Sequence, residues 1–121
     1  MRFTEHELTE AVTNAAKTVA GMRQRGVRRR RDREETWAAM SRHERYLVLD
    51  AVGSQVLPVL LALPDVEVPT GTRPTFTDAQ VLATVRETLG DAGRGLRGKV
   101  AVAARVALVR DALAKLPPRQ E

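Results

Sequence analysis

Along most of this chain, apolar residues recur every three or four positions, the spacing of one face of an α-helix. Leu8, Val12, Ala15, Val19 and Met22 form the first such stripe. Its start is well marked, because Thr4 and Glu7 have capping-box spacing and Phe3 and Leu8 flank it as a hydrophobic staple. The pattern predicts a helix over about 5–24, weakened at its far end by Gly21 and Gly26. Asp32 with Glu35 reads as a second helix start, opening a short helix over 33–40. Ser41 with Glu44 is a third, opening a helix over 42–63 with Tyr46, Leu49, Val52 and Val56 along one side. Pro58 has no backbone N–H and crowds the preceding turn, so a kink or a fresh helix start is expected there.

Helical periodicity stops between Pro64 and Pro74, where three prolines, one glycine and alternating polar residues read as an extended surface linker over 64–76. It resumes with Thr77 and Gln80 as cap partners and Phe76 and Val81 as the staple, predicting a helix over 78–89 before Gly90. A last helix is expected over 96–116, stopped by Pro117-Pro118, with Val102, Val106, Val109, Leu113 and Leu116 on one face. Between residues 100 and 109 only Arg105 is polar. A helix that is apolar on most sides is either central or covered by a partner. The starts at Phe3-Thr4-Glu5 and Phe76-Thr77-Asp78 resemble each other, but the likeness ends within two turns and is equally what two good helix starts share. The expected fold is therefore all-α: one compact domain over 1–121, a bundle of four to five helices with one proline-rich linker crossing outside. The last helix would lie against the first, third and fourth.

Composition sharpens this picture in one respect. Apolar residues make up 43% of the 121, but aromatics only 3%, and there is no isoleucine. A core of Ala, Val and Leu lets helices approach closely and argues against an aromatic-lined ligand pocket. The absence of cysteine removes disulfides, thiolate catalysis and cysteine-based zinc sites. The start of the chain is charged rather than apolar, and the longest apolar run, Val56 to Leu63, is short for a bilayer. The expectation is a cytoplasmic protein with no membrane contact. Arginine far outnumbers lysine, the usage of a GC-rich, bacterial-type genome.

Charge changes the picture more. The net charge of +5 is unevenly spread. Residues 23–33 hold seven arginines against one aspartate, +6, and residues 91–121 hold seven basic against three acidic groups, +4. Between them, residues 34–90 hold four basic against eight acidic groups, −4. Arginine binds phosphate and carboxylate through paired hydrogen bonds and stays charged at any working pH. Arg23, Arg25, Arg28, Arg29, Arg30, Arg31 and Arg33 are thus candidate contacts for nucleic acid or another acidic partner. The same run reads equally as a solvated face, or as one neutralised by Glu34, Glu35 and the acidic middle. No aromatic residues interleave with it, so stacking on bases has no support.

The string Gly93-Arg94-Gly95-Leu96-Arg97-Gly98-Lys99 satisfies G-x-G-x-x-G and the first seven positions of a phosphate-binding loop. Such a loop needs a strand before it and a hydroxyl after the lysine to hold magnesium. Here a capped helix precedes, and Val100 occupies the hydroxyl position. Nucleotide hydrolysis and dinucleotide binding are set aside on that ground. A weaker reading survives, in which Arg94, Arg97 and Lys99 ring an anion site at the start of the last helix; the alternative is a plain interhelical loop. His6 and His43 lie in first helical turns outside any H-E-x-x-H arrangement. Ser41 and Ser54 are the two serines, and Ser41 is a cap. No catalytic residue, metal ligand or cofactor is assigned. Trp37, Met40 and Tyr46 are expected to plug the core. The expected function is a non-enzymatic binding protein that uses the arginine-rich segment, helped by Arg94, Arg97 and Lys99. The alternative is a structural or adaptor subunit that self-associates, or docks on a protein, through its apolar helices.

Overall fold

A computed structural model describes residues 1–23 and 33–119. The segment 24–32, with the Arg23 side chain and the expected Asp32 cap, lies outside the described residues. The protein is all-α. Its helices are α1 (Glu5–Arg23), α2 (Arg33–Ala39), α3 (Arg42–Ala62), α4 (Asp78–Leu89) and α5 (Gly95–Ala114), with a 3₁₀ turn over Gly90–Gly93. No strand occurs among the described residues.

Three helices begin with reciprocal caps. In α1, Glu7 N donates to Thr4 Oγ1 (3.1 Å) and Thr4 N to Glu7 Oε1 (2.8 Å). The same box closes α3 through Ser41 and Glu44 and α4 through Thr77 and Gln80. Each satisfies two backbone donors that a helix start leaves without partners. Through its hydrogen bonds to Ser41, foremost that from the backbone N–H, Glu44 is held below the ordinary carboxylate range.

The core is made of small and medium side chains. Ala11, Ala15 and Ala16 of α1 are fully buried, as are Val56, Val59 and Leu60 of α3, Val85 of α4 and Val109 and Ala112 of α5. With alanine on the inner face of α1, both α3 and α5 pack closely against it. Helix α4 packs on α5 and α3, and short α2 rests on α1. Gly53 lies inside this packing, where α3 crosses Val12 of α1.

Helix α3 is continuous across Pro58, so no fresh start occurs. Pro58 is exposed, along with Ser54, Leu61 and Ala62. The proline therefore deprives a solvent-facing carbonyl of its partner, and water can replace the bond. The buried row Val52, Val56, Val59 and Leu60 keeps the opposite face intact. By length and composition α3 could cross a membrane, more than the short run Val56–Leu63 suggested. Its apolar row is spent on the bundle core.

No helix forms between Leu63 and Thr77. The connection turns at Pro69–Thr72, where Gly71 has φ +85°. There it pairs with the C-terminal tail: Gly71 N donates to Arg119 O and Arg119 N to Thr72 O, both at 2.8 Å. The Arg119 side chain continues across the surface to α1. Its Nη2 donates to Glu7 Oε1 (2.8 Å) and its Nε to Glu7 Oε2 (3.2 Å). Burial presses the Glu7 carboxyl toward its neutral form, but Arg119 and the Thr4 hydrogen bonds prevail and hold its pKa below the ordinary value. One arginine thus ties the tail and the linker to the start of α1.

Candidate functional site

The glycines of the 93–99 string have a structural purpose. A Cβ on Gly98 would lie 2.2 Å from the backbone carbon of Gly93 and 2.5 Å from its oxygen. The first turn of α5 therefore sits directly on the backbone of the 3₁₀ turn, closer than any side chain permits. Gly95 has φ +74°, the left-handed region that reverses the chain into α5. Gly98 N is already bonded to Arg94 O (3.2 Å). Close packing of α5 onto the 3₁₀ turn is enough to explain the spacing, with no phosphate invoked.

This arrangement places the start of α5 beside α4 and opens a groove of about 890 Å³ between them. Buried or half-buried Leu82, Val102 and Val106 form its apolar floor, and exposed Ala103 and Ala107 form its edge on α5. Four cations surround it: Arg86 from α4, and Arg94, Lys99 and Arg110 from the start and body of α5. Among the described residues no carboxylate lines it. Arg94 Nε stands 3.5 Å from Asp91, and Arg110 is ion-paired to Asp78. All four of those groups are strongly exposed, where such pairs hold little energy and exchange readily. The side chains of Arg86 and Lys99 have no ion pair or hydrogen-bond partner among the described residues.

The sequence-derived candidates fall into three groups. Arg25, Arg28, Arg29, Arg30, Arg31 and the Arg23 side chain lie outside the described residues. Arg33 is committed to the fold. Its Nη1 donates to the Asn14 carbonyl (3.2 Å) and to Thr18 Oγ1 (3.0 Å), which ties α2 to α1. Lys17 reinforces this joint with an ion pair to Glu34 at 2.9 Å. Arg94, Arg97 and Lys99 are exposed, and Arg94 and Lys99 come together on the groove while Arg97 does not line it.

Arg86 and Arg110 escaped the sequence reading. A usable signal existed: Lys99, Ala103, Val106 and Arg110 follow helical spacing, so one face of α5 has basic ends and an apolar middle. Tyr46 was also misjudged. Trp37 and Met40 pack against the core, but Tyr46 is exposed and shares a shallow cleft with Arg42 and Arg45. Helix α3 is apolar on both sides of the Val48–Val52 row, and its pattern does not reveal which side faces inward.

Helix α5 packs against α1, α3 and α4 as expected, but it is not enclosed by them. Leu96 is 83% and Val100 70% exposed, and Ala103, Ala104 and Ala107 are exposed beyond them. The bundle covers one face of α5 and leaves an apolar ridge bare beside the groove. Among the described residues no cluster of three or more metal-ligating side chains occurs. No family model matches this chain, and comparison with characterised proteins and with solved structures finds no significant match.

Proposed function

We propose that this protein is a non-enzymatic binding module that engages an acidic protein partner through the α4–α5 groove. The observation that carries the reading is the convergence of Arg86, Arg94, Lys99 and Arg110 on an apolar floor that no carboxylate among the described residues lines. Desolvated apolar surface supplies affinity, and the cations steer and orient an acidic partner. A nucleic-acid backbone would use the cations but gain little from Leu82, Val102 and Val106, so the floor favours protein.

The test is a fluorescence-anisotropy titration of a labelled glutamate-rich, leucine-containing peptide, run across salt concentrations beside a 20-base-pair DNA duplex. The peptide should bind, weaken as salt rises, and lose at least about tenfold in affinity to the R86E/K99E variant, as expected for close charge pairs at an interface. The alternative is duplex binding that is lost when Arg28 to Arg31 become alanine and is indifferent to R86E/K99E. That outcome would move the function to the arginine-rich segment.

A further inference from the structure

We infer that the occupant of the groove is an amphipathic α-helix of at least three turns, acidic along its flanks, lying along α5. The inference rests on the acidic-partner reading and specifies the form that partner takes.

The cations are spread along the groove rather than gathered at one point. Lys99 and Arg110 are eleven residues apart, close to three full turns, so they project from the same side of α5, about 16 Å apart along its axis at 1.5 Å per residue. Arg86 adds a third cation from the opposite wall. One anionic headgroup cannot meet charges separated by that length. A helix with carboxylates at matching intervals can, because its own residues repeat on one face at the same spacing.

The shape of α5 also suits a helix. Leu96, Val100, Ala103 and Ala107 recur at four-, three- and four-residue intervals and form the bare ridge of α5. Ala107 lines both the basic groove and a smaller cleft of about 390 Å³ on the α1–α3 side. A ridge with a groove on each side is what helix packing uses, and alanine at its centre permits a close approach. The large residues, Leu96 and Val100, stand at one end, where they would bracket the partner's apolar anchors. Recognition of this kind reads apolar residues at i, i+3 or i+4, and i+7 on the incoming helix.

Two labelled 18-residue peptides of identical composition distinguish the possibilities. One places leucine and alanine on a single helical face with glutamate on its flanks; the other is scrambled to remove the face. Anisotropy is measured on the wild-type protein, on R86E/K99E and on A107W, with circular dichroism to establish that both variants are folded. The inference predicts at least tenfold tighter binding of the patterned peptide, and loss of that preference in A107W as well as in R86E/K99E. Equal binding of both peptides, still sensitive to R86E/K99E, would overturn the helical partner and leave the acidic-partner reading standing. Failure of both peptides to bind at millimolar concentration would overturn both. A concentration-dependent dimer in light scattering, abolished by A107W and undisturbed by peptide, would assign the ridge to a second copy and overturn the inference.

Discussion

Replacing Arg119 with alanine probes a contact that closes the fold across 112 residues of sequence. Glu7 is 2% exposed and its carboxylate takes two bonds from the Arg119 guanidinium, which is itself 23% exposed. Removing one partner of a buried pair costs about 3–5 kcal/mol, since it strands a desolvated charge. Water reaches the vacated Arg119 position, so a loss just below that range, about 2–3 kcal/mol, is expected here. The backbone bonds of residue 119 to Gly71 and Thr72 survive the substitution, and their energy is not part of the loss.

The pH dependence gives this prediction a sign. In the wild type the Glu7 pKa is lowered, so its contribution is present above the unfolded carboxylate pKa and disappears as pH falls through the folded value. Burial is already the largest single influence on Glu7, and without Arg119 only the Thr4 hydrogen bonds oppose it, so its pKa should rise from the wild-type value. The stability that ionised Glu7 contributes near neutral pH is then reduced or lost. The stability gap between R119A and wild type should be widest at pH 7 and narrow sharply toward pH 3. Urea unfolding followed by the fluorescence of Trp37, the single tryptophan, measures it. Gln at position 7 keeps the cap acceptor for Thr4 without a charge, so E7Q/R119A should recover about 1–2 kcal/mol over R119A alone. A loss under about 0.5 kcal/mol, or one equal at pH 3 and pH 7, would refute the reasoning, since a buried unpaired carboxylate must do both.

Two further substitutions test the packing and are read by the same unfolding assay. Gly98→Ala drives a methyl into the Gly93 backbone and should cost about 3 kcal/mol, the upper end for overpacking, with a loss below about 1 kcal/mol contradicting the contact. Gly53→Ala should do the reverse. Its Cβ would sit 3.7 Å from Val12 and 3.8 Å from Leu57, ordinary contacts, so the better helix propensity of alanine should raise stability by about 0.5–1 kcal/mol; destabilisation would mean that α1 and α3 lie closer than described.

What could be read from the sequence was local. The capping boxes at Thr4–Glu7, Ser41–Glu44 and Thr77–Gln80 span three residues each, and their chemistry is complete within that span. The stripe Val102–Val109–Leu116 identified the inner face of α5, because a buried face imposes helical period on one chain segment. The Glu7–Arg119 pair was hidden because its partners are 112 residues apart and Glu7 already had a complete local explanation as a cap. The groove was hidden for a similar reason. Half of its meaning lies in α4, where Arg86 looks like any exposed helical arginine until α5 stands beside it. The G-x-G-x-x-G string misleads in the opposite way: its spacing suits a phosphate loop, but the backbone contact between Gly93 and Gly98 and the positive φ of Gly95 account for it. The dense arginine run drew attention by composition. The groove cations are sparser and matter through convergence.

The central claim is that an acidic partner sits between α4 and α5, and amide chemical-shift mapping by NMR tests it most directly. Titrating the patterned acidic peptide into isotope-labelled protein should move the amides of Leu82, Arg86 and the Gly93–Arg110 stretch, and leave those of α2 and the outer face of α1 in place. Shifts confined to residues 24–32 or to α2, with the α4–α5 signals unmoved at saturating peptide, would contradict it.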